Sequence, residues 1–227
     1  NIKVTALTRN VHQKGYILKT QANPGYLEIV EGSIFDHELI EKLFSNADLC
    51  VNLVGILFEK GKNNFNNIHT EFPKMISRYA STYKLEKFVH LSALGIENAK
   101  DSIYAQSKLK GEKEILNNFN KAVIVRPSIV YSVDDNFTTQ LMTLLRLLPI
   151  FPIYYNGQTK FRPIFCSDLT NSITKIIIDD IKENIIEFAG PEEMSFKEIL
   201  EKLLFLIEKK RLLFPMPISL ARMSAHI

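Results

Sequence analysis

Residues 87–116 read KFVHLSALGIENAKDSIYAQSKLKGEKEIL, and their pattern decides the fold. The largely apolar run at 87–91 predicts a buried strand that delivers Ser92 at its carboxyl end. A loop follows, then a long helix carrying Tyr104 and Lys108. Residues four apart on a helix share a face, so a phenol and an ammonium are held side by side, with a hydroxyl arriving from the strand. A neighbouring ammonium favours the phenolate. The Tyr104 pKa is therefore expected to fall toward neutral, where the phenol can exchange a proton with a carbonyl or alcohol. Ser92 is expected to hold the oxygen of that group. The Tyr-x-x-x-Lys spacing is weak by itself, because Tyr83 and Lys87 repeat it. That second pair reads as the solvated end of a helix before a strand, without the serine upstream or the long helix downstream.

Outward from this stretch, strands alternate with helices. Strands are expected at 2–7, 27–30, 47–53, 122–126, 162–165 and 187–189, and helices at 37–44, 67–83 and 136–147. Such alternation argues for an α/β fold with a mainly parallel sheet. Its ligand should lie outside the carboxyl ends of the strands, where Gly55, Ser92 and the turn at Pro127 converge. Glycine at 55 permits close backbone approach to a ligand, and equally suits a plain strand-to-loop turn. Asp36 and Asp168 read as helix caps, and Ser195 with Glu198 as a capping box. Past the helix at 136–147, the proline-broken LLPIFPIYY reads either as core plus a hydrophobic lid or as a patch for a lipid-like substrate, a membrane surface or a protein partner.

With 227 residues and 46% hydrophobic content, the chain can bury one domain's core plus a small appendage. A net charge of +3, with no Lys/Arg block and no aromatic-interleaved basic stripe, excludes a nucleic-acid binder. No apolar run approaches the ~18 residues of a membrane span. Cys50 and Cys166 lie far apart and read as free thiols. The five histidines are scattered, none at metal-ligand spacing, so no metal site is expected. His90 reads as packed in the sheet. A start at Asn1 inside a strand, and an abrupt stop after RLLFPMPISLARMSAHI, suggest a piece of a longer protein.

The phrases VNLVGILFE, VHLSALG, YAQSKLKGEKEIL, VRPSIVYSVDDNF, FRPIFCSDL and FAGPEEMSFKEIL resemble the atypical or extended short-chain dehydrogenase/reductases of the NAD-dependent epimerase/dehydratase superfamily. They look most like the branch containing the NADPH-binding accessory subunit of respiratory complex I and its bacterial relatives. The resemblance implies a Rossmann-like, doubly wound parallel sheet. Residues 1–131 would form the NAD(P)-binding domain, lacking its first strand and Gly-rich loop, and 132–227 the last strands and a small substrate or partner lobe. It also implies that Tyr104 exchanges the proton, that Lys108 lowers its pKa and anchors the cofactor ribose, and that Ser92 orients the substrate. Val54 and Gly55 would lie against the cofactor, and Pro127 beside the nicotinamide.

An arginine at the second strand's end accommodates the 2′-phosphate of NADP, whereas an acid there grips the ribose of NAD. Arg9 holds that place and no Asp or Glu lies near it in sequence, so NADP(H) is expected over NAD(H). The chain departs from the family at Ser33, which replaces an acid near adenine. It departs again at His69, a glycine in the pattern that Asn66 and Thr70 otherwise follow, and at Ser132-Val133, where relatives have Gly-Pro. Two functions follow from the resemblance. One is an oxidoreductase or epimerase using Ser-Tyr-Lys chemistry on a small molecule, in quinone or lipid metabolism. The other is a non-catalytic NADPH-binding structural or assembly subunit of a complex I-type NADH:quinone oxidoreductase. The implied partners are a respiratory complex or a membrane surface. The implied location is the cytoplasm or the periphery of the inner membrane, on the matrix side in a eukaryote.

Overall fold

The computed structural model describes residues 2–216, so the end of the apolar, basic C-terminal stretch (217–227) lies outside the described residues. In chain order the strands are β1 (Val4–Thr8), β2 (Leu27–Glu31), β3 (Leu49–Asn52), β4 (Lys87–Leu91), β5 (Val123–Pro127), β6 (Val130–Tyr131), β7 (Ile150–Tyr154), β8 (Lys160–Phe161), β9 (Ile164–Phe165), β10 (Ile185–Phe188), β11 (Met194–Ser195) and β12 (Leu212–Met216). The helices are α1 (Tyr16–Lys19), α2 (His37–Phe44), α3 (Phe72–Thr82), α4 (Ile103–Asn118), α5 (Asn136–Leu147), α6 (Cys166–Ile178) and α7 (Phe196–Leu206). A π-helical turn over Asn66–Glu71 runs directly into α3.

The expected α/β class is what folds. Strands β3, β4, β5 and β10 form a parallel sheet in the order β10-β5-β4-β3. Among the described residues β1 pairs only with β2 and β7 only with β12, so the longer parallel strands fall into a set of four and two separate pairs. Both faces of the sheet of four are covered, which is why its strands read as near-continuous apolar runs. Phe88 and Ile124 point toward Ile76, Ala80 and Ile115 of α3 and α4. Val89 and Val125, one residue further along each strand, face Leu169, Ile173 and Ile176 of α6. A third cluster joins α5, β7 and α7 through Leu145, Phe151, Ile153, Leu200 and Leu203.

The caps follow their chemistry. Asp36 accepts from the Leu39 N–H at 3.0 Å, and Ser195 and Glu198 close a full capping box at the start of α7. Asp168 is not a cap: α6 begins at Cys166, so Asp168 sits within its first turn, where a carboxylate meets the helix dipole instead. Of the strand expected at 162–165 only Ile164–Phe165 forms, as β9, with Arg162 and Pro163 separating it from β8. Both cysteines are free thiols. Among the described residues no helix is long and apolar enough to cross a membrane.

Candidate functional site

Strand β4 hands its end to the site. The Ser92 N–H continues the ladder by donating to Val125 O at 2.7 Å, and the Leu94 N–H donates to Pro127 O at 2.9 Å. The turn at Pro127 and Ser92 are thereby tied together. Helix α4, capped by Ser102, then lies over the strand end and lowers Lys108 toward it. Lys108 is 5% exposed, and its Nζ donates to Leu91 O at 3.1 Å. Burial pulls its pKa down to about 8, with Glu112 one turn further along opposing that shift. A Cβ built on Gly55 would lie 3.4 Å from Lys108 Nζ and 3.8 Å from His69 Nε2, so a side chain at 55 would crowd both. Gly55, Ser92, Lys108 and Pro127 therefore converge, as expected from the chain's pattern.

Tyr104 and Arg9 behave differently from expectation. Tyr104 is half-buried on the first turn of α4, its ring edge-on to Phe65 (5.8 Å) and His69 (5.2 Å). Burial pushes its pKa up, opposite to the expected fall, because Lys108 spends its ammonium on the Leu91 carbonyl rather than on the phenol. Arg9 is exposed beyond β1. The register that sets Thr8 opposite Glu31 brings an acid to that strand end, and the Glu31 carboxylate accepts from the Val11 N–H at 3.0 Å. The absence of acids around Arg9 holds along the sequence and not in space.

Two histidines and an asparagine that sequence reasoning passed over complete the site. Asn52 Oδ1 accepts from the Val54 N–H at 3.0 Å, which turns Nδ2 toward His90 Nδ1 at 2.9 Å. His90 Nδ1 must therefore accept, and its proton lies on Nε2. His69 Nε2 accepts from the Ile56 N–H at 3.1 Å, so Nδ1 carries the proton and donates to Ser107 Oγ at 2.9 Å. Ser107 in turn donates to Tyr104 O at 2.7 Å. The backbone on either side of Gly55 is thus held by the Asn52 amide, itself set by His90, at Val54 and by the His69 imidazole at Ile56. Burial is the main cause of the low imidazole pKa values, about 4 for His69 and about 3 for His90, with Lys108 adding to both. Gly111 of α4 lets the helix approach the backbone at His69: a Cβ there would fall 1.8 Å from His69 O. The signal that could have found this cluster was polar residues inside apolar strands, Asn52 and His90, which need partners when buried.

Two members remain unsatisfied. Among the described residues the buried side-chain polar atoms without a partner are Ser92 Oγ and His90 Nε2. Below the site, Arg126 of β5 makes a two-pronged pair with Glu112 (2.8 and 3.1 Å) and reaches Glu97 at 3.1 Å, joining α4 to the loop after Ser92. No cluster of three or more His, Cys, Asp or Glu among the described residues could hold a metal ion.

No protein-family model matches the chain. It is 28% identical over 188 residues to NADH dehydrogenase (ubiquinone) 1 alpha subcomplex subunit 9, mitochondrial, of Dictyostelium discoideum, with 82% of this chain and 52% of that protein covered. The Mus musculus subunit of the same name is 23% identical over 202 residues, covering 88% and 54%. Over most of its length this chain is thus similar to the alpha subcomplex subunit 9 proteins. It spans about half the length of the curated relatives it matches. A ceramide reductase of Caulobacter vibrioides is 24% identical over 173 residues, 76% of this chain and 50% of that one.

Solved structures share the fold. The UDP-glucuronic acid 4-epimerase of Bacillus cereus, in complex with UDP-glucuronic acid and NAD, superposes with a TM-score of 0.74 at 19% identity, covering 94% of this chain and 78% of that one. The dTDP-4-dehydrorhamnose reductase of Bacillus anthracis, in complex with NADP, does so at 0.73 and 16%, covering 95% and 85%. The chain thus has the Rossmann-like fold of these epimerase and reductase structures.

Proposed function

We propose that this chain forms the substrate-facing part of an NADP(H)-binding protein of the short-chain dehydrogenase/reductase type that reduces a carbonyl on a small molecule. The observation that carries this reading is the Ser92 hydroxyl, buried and without a partner at a strand end beside the Lys108 ammonium. A buried hydroxyl left unpaired costs about 1–3 kcal/mol, a penalty that a substrate oxygen relieves. The residues present fit a dinucleotide's nicotinamide end: Gly55 leaves room beside Lys108, and Lys108 and Tyr104 offer donors to a ribose. Val54 and Gly55 would run along it and Pro127 would back the ring, while Arg9 would meet a 2′-phosphate. The cofactor, when bound, supplies the hydride.

The chain's own residues then handle the oxygen. Ser92 donates to the carbonyl oxygen and holds it in place. Tyr104, whose raised pKa keeps the phenol protonated at neutral pH, donates its proton as negative charge develops there. A raised pKa suits the acid of a reduction better than the base of an oxidation. Lys108, on leaving the Leu91 carbonyl, would stabilise the phenolate left behind.

A second reading is favoured by the Lys108 to Leu91 bond, which leaves Tyr104 unactivated, and by the similarity to subunit 9. The same residues would then hold NADPH permanently, as a structural or assembly element of a respiratory NADH:quinone oxidoreductase at the inner membrane. The two readings differ in how fast cofactor leaves. The intact protein, loaded with NADPH, is mixed with free cofactor and the exchange timed. Exchange within seconds supports turnover and retention over hours supports the structural role. NADH bound in preference to NADPH would remove the role given to Arg9.

A further inference from the structure

The parallel pair β7 and β12 stands apart from the four-stranded sheet and presents a wholly apolar outer face. Its register sets Leu212 beside Ile150, Phe214 beside Pro152 and Met216 beside Tyr154. Alternation sends Phe151, Ile153 and Leu213 inward to the third core cluster, so the other set faces out. Leu212 is 59% exposed, Ile150 52% and Phe214 51%. Adjoining large side chains left in water at this level mark an interaction surface.

Charge says what covers it. Because the strands are parallel, the residues that lead into them lie at one edge. Arg146 and Leu147-Leu148 precede β7, and Lys209, Lys210 and Arg211 precede β12. Arg211 fixes this edge by donating to Leu145 O and Arg146 O, at 2.9 and 3.1 Å. Arg146, Lys209 and Lys210 are exposed. No ion pair among the described residues engages them. The sequence has no Asp or Glu from 136 to 167, nor from 209 to 227. Apolar and aromatic side chains rimmed by cations that outnumber Glu208, the acid beside Lys209 in sequence, match a bilayer interface that bears negative headgroups.

We propose that the outer face of β7 and β12 docks on an anionic phospholipid surface, its apolar side chains entering the interface and Arg146, Lys209 and Lys210 meeting headgroups. The docking does not depend on the cofactor reading, and the thermal unfolding midpoint of each variant serves as an independent check that it is folded. The test is flotation of the intact protein with vesicles of phosphatidylcholine alone or mixed with phosphatidylglycerol. The protein is expected to float with the mixed vesicles only, and less as salt is raised. Lys209→Gln with Lys210→Gln should weaken binding roughly 25-fold, about fivefold per cation. Phe214→Ser should weaken it by a further tenfold or so through lost apolar burial. Failure to float with mixed vesicles, equal binding to neutral ones, or a double variant that binds like the parent would each overturn the proposal.

Discussion

The chain holds the same four-residue pattern twice, and the two copies do unrelated things. Tyr104 and Lys108 lie on consecutive turns of α4, over the end of β4. Tyr83 is already the C-cap of α3, and Lys84 adopts a left-handed conformation (φ 54°) that ends the helix. Lys87 is therefore in β4 and points elsewhere, its Nζ donating to the Ile176 and Asp179 carbonyls at the end of α6. The Tyr83 hydroxyl donates to Glu41 at 2.9 Å on the surface. Both phenols have raised pKa values, Tyr83 by its bond to Glu41 and Tyr104 by burial. The spacing is thus informative only where one helix spans it, and a perturbed pKa does not tell the two apart. What does is the company of Ser92, Gly55 and His69.

The comparison can be broken most directly at the hydroxyls. Tyr104→Phe is expected to cut carbonyl turnover by about 10²–10⁴-fold while NADPH affinity stays near its parent value. Tyr83→Phe should leave both unchanged. Steady-state kinetics with a titration of NADPH fluorescence would show it, and equal turnover in the Tyr104 variant would withdraw its acid role. A smaller effect is expected at Gly111, which lets α4 touch the backbone at His69, a contact the Tyr83 copy lacks. Gly111→Ala should lower stability by about 1–3 kcal/mol, read from urea midpoints, because the obstructing atom is a carbonyl and cannot rotate away.

The mildest effect concerns pH. His69 and His90 stay neutral in the fold down to about 4 and about 3, against 6.5 for a free imidazole. Below 6.5 the unfolded chain therefore binds protons that the folded chain refuses. Stability should be full above that pH and decline as acid is added toward 4. His90→Gln, monitored by thermal unfolding across the range, should flatten the decline. An unchanged slope in that variant would show that the burial of this imidazole does not matter.

Residues close in sequence were read well and residues joined across elements were not. The α/β alternation, the Asp36 cap, the capping box at Ser195 and the placing of Ser92 at a strand end all follow from neighbours within a few positions. The fall expected in the Tyr104 pKa did not occur, because sharing a helix face does not decide which way a flexible lysine points, and the nearest acceptor was the Leu91 carbonyl. Glu31, 22 residues from Arg9 in sequence, reached the same strand end through the β1–β2 register. His69 looked like a departure from a pattern and became the residue that receives the Ile56 N–H.

By itself the sequence determined the strands of the main parallel sheet and the helices between them, though not β7 and β12, because hydrophobic period and capping are local, and it placed Ser92, Tyr104 and Lys108 on adjoining elements. Only the tertiary structure decided the electrostatics of those groups. Burial and hydrogen-bond competition depend on atoms contributed by segments dozens of residues apart, and no spacing rule within one helix contains them.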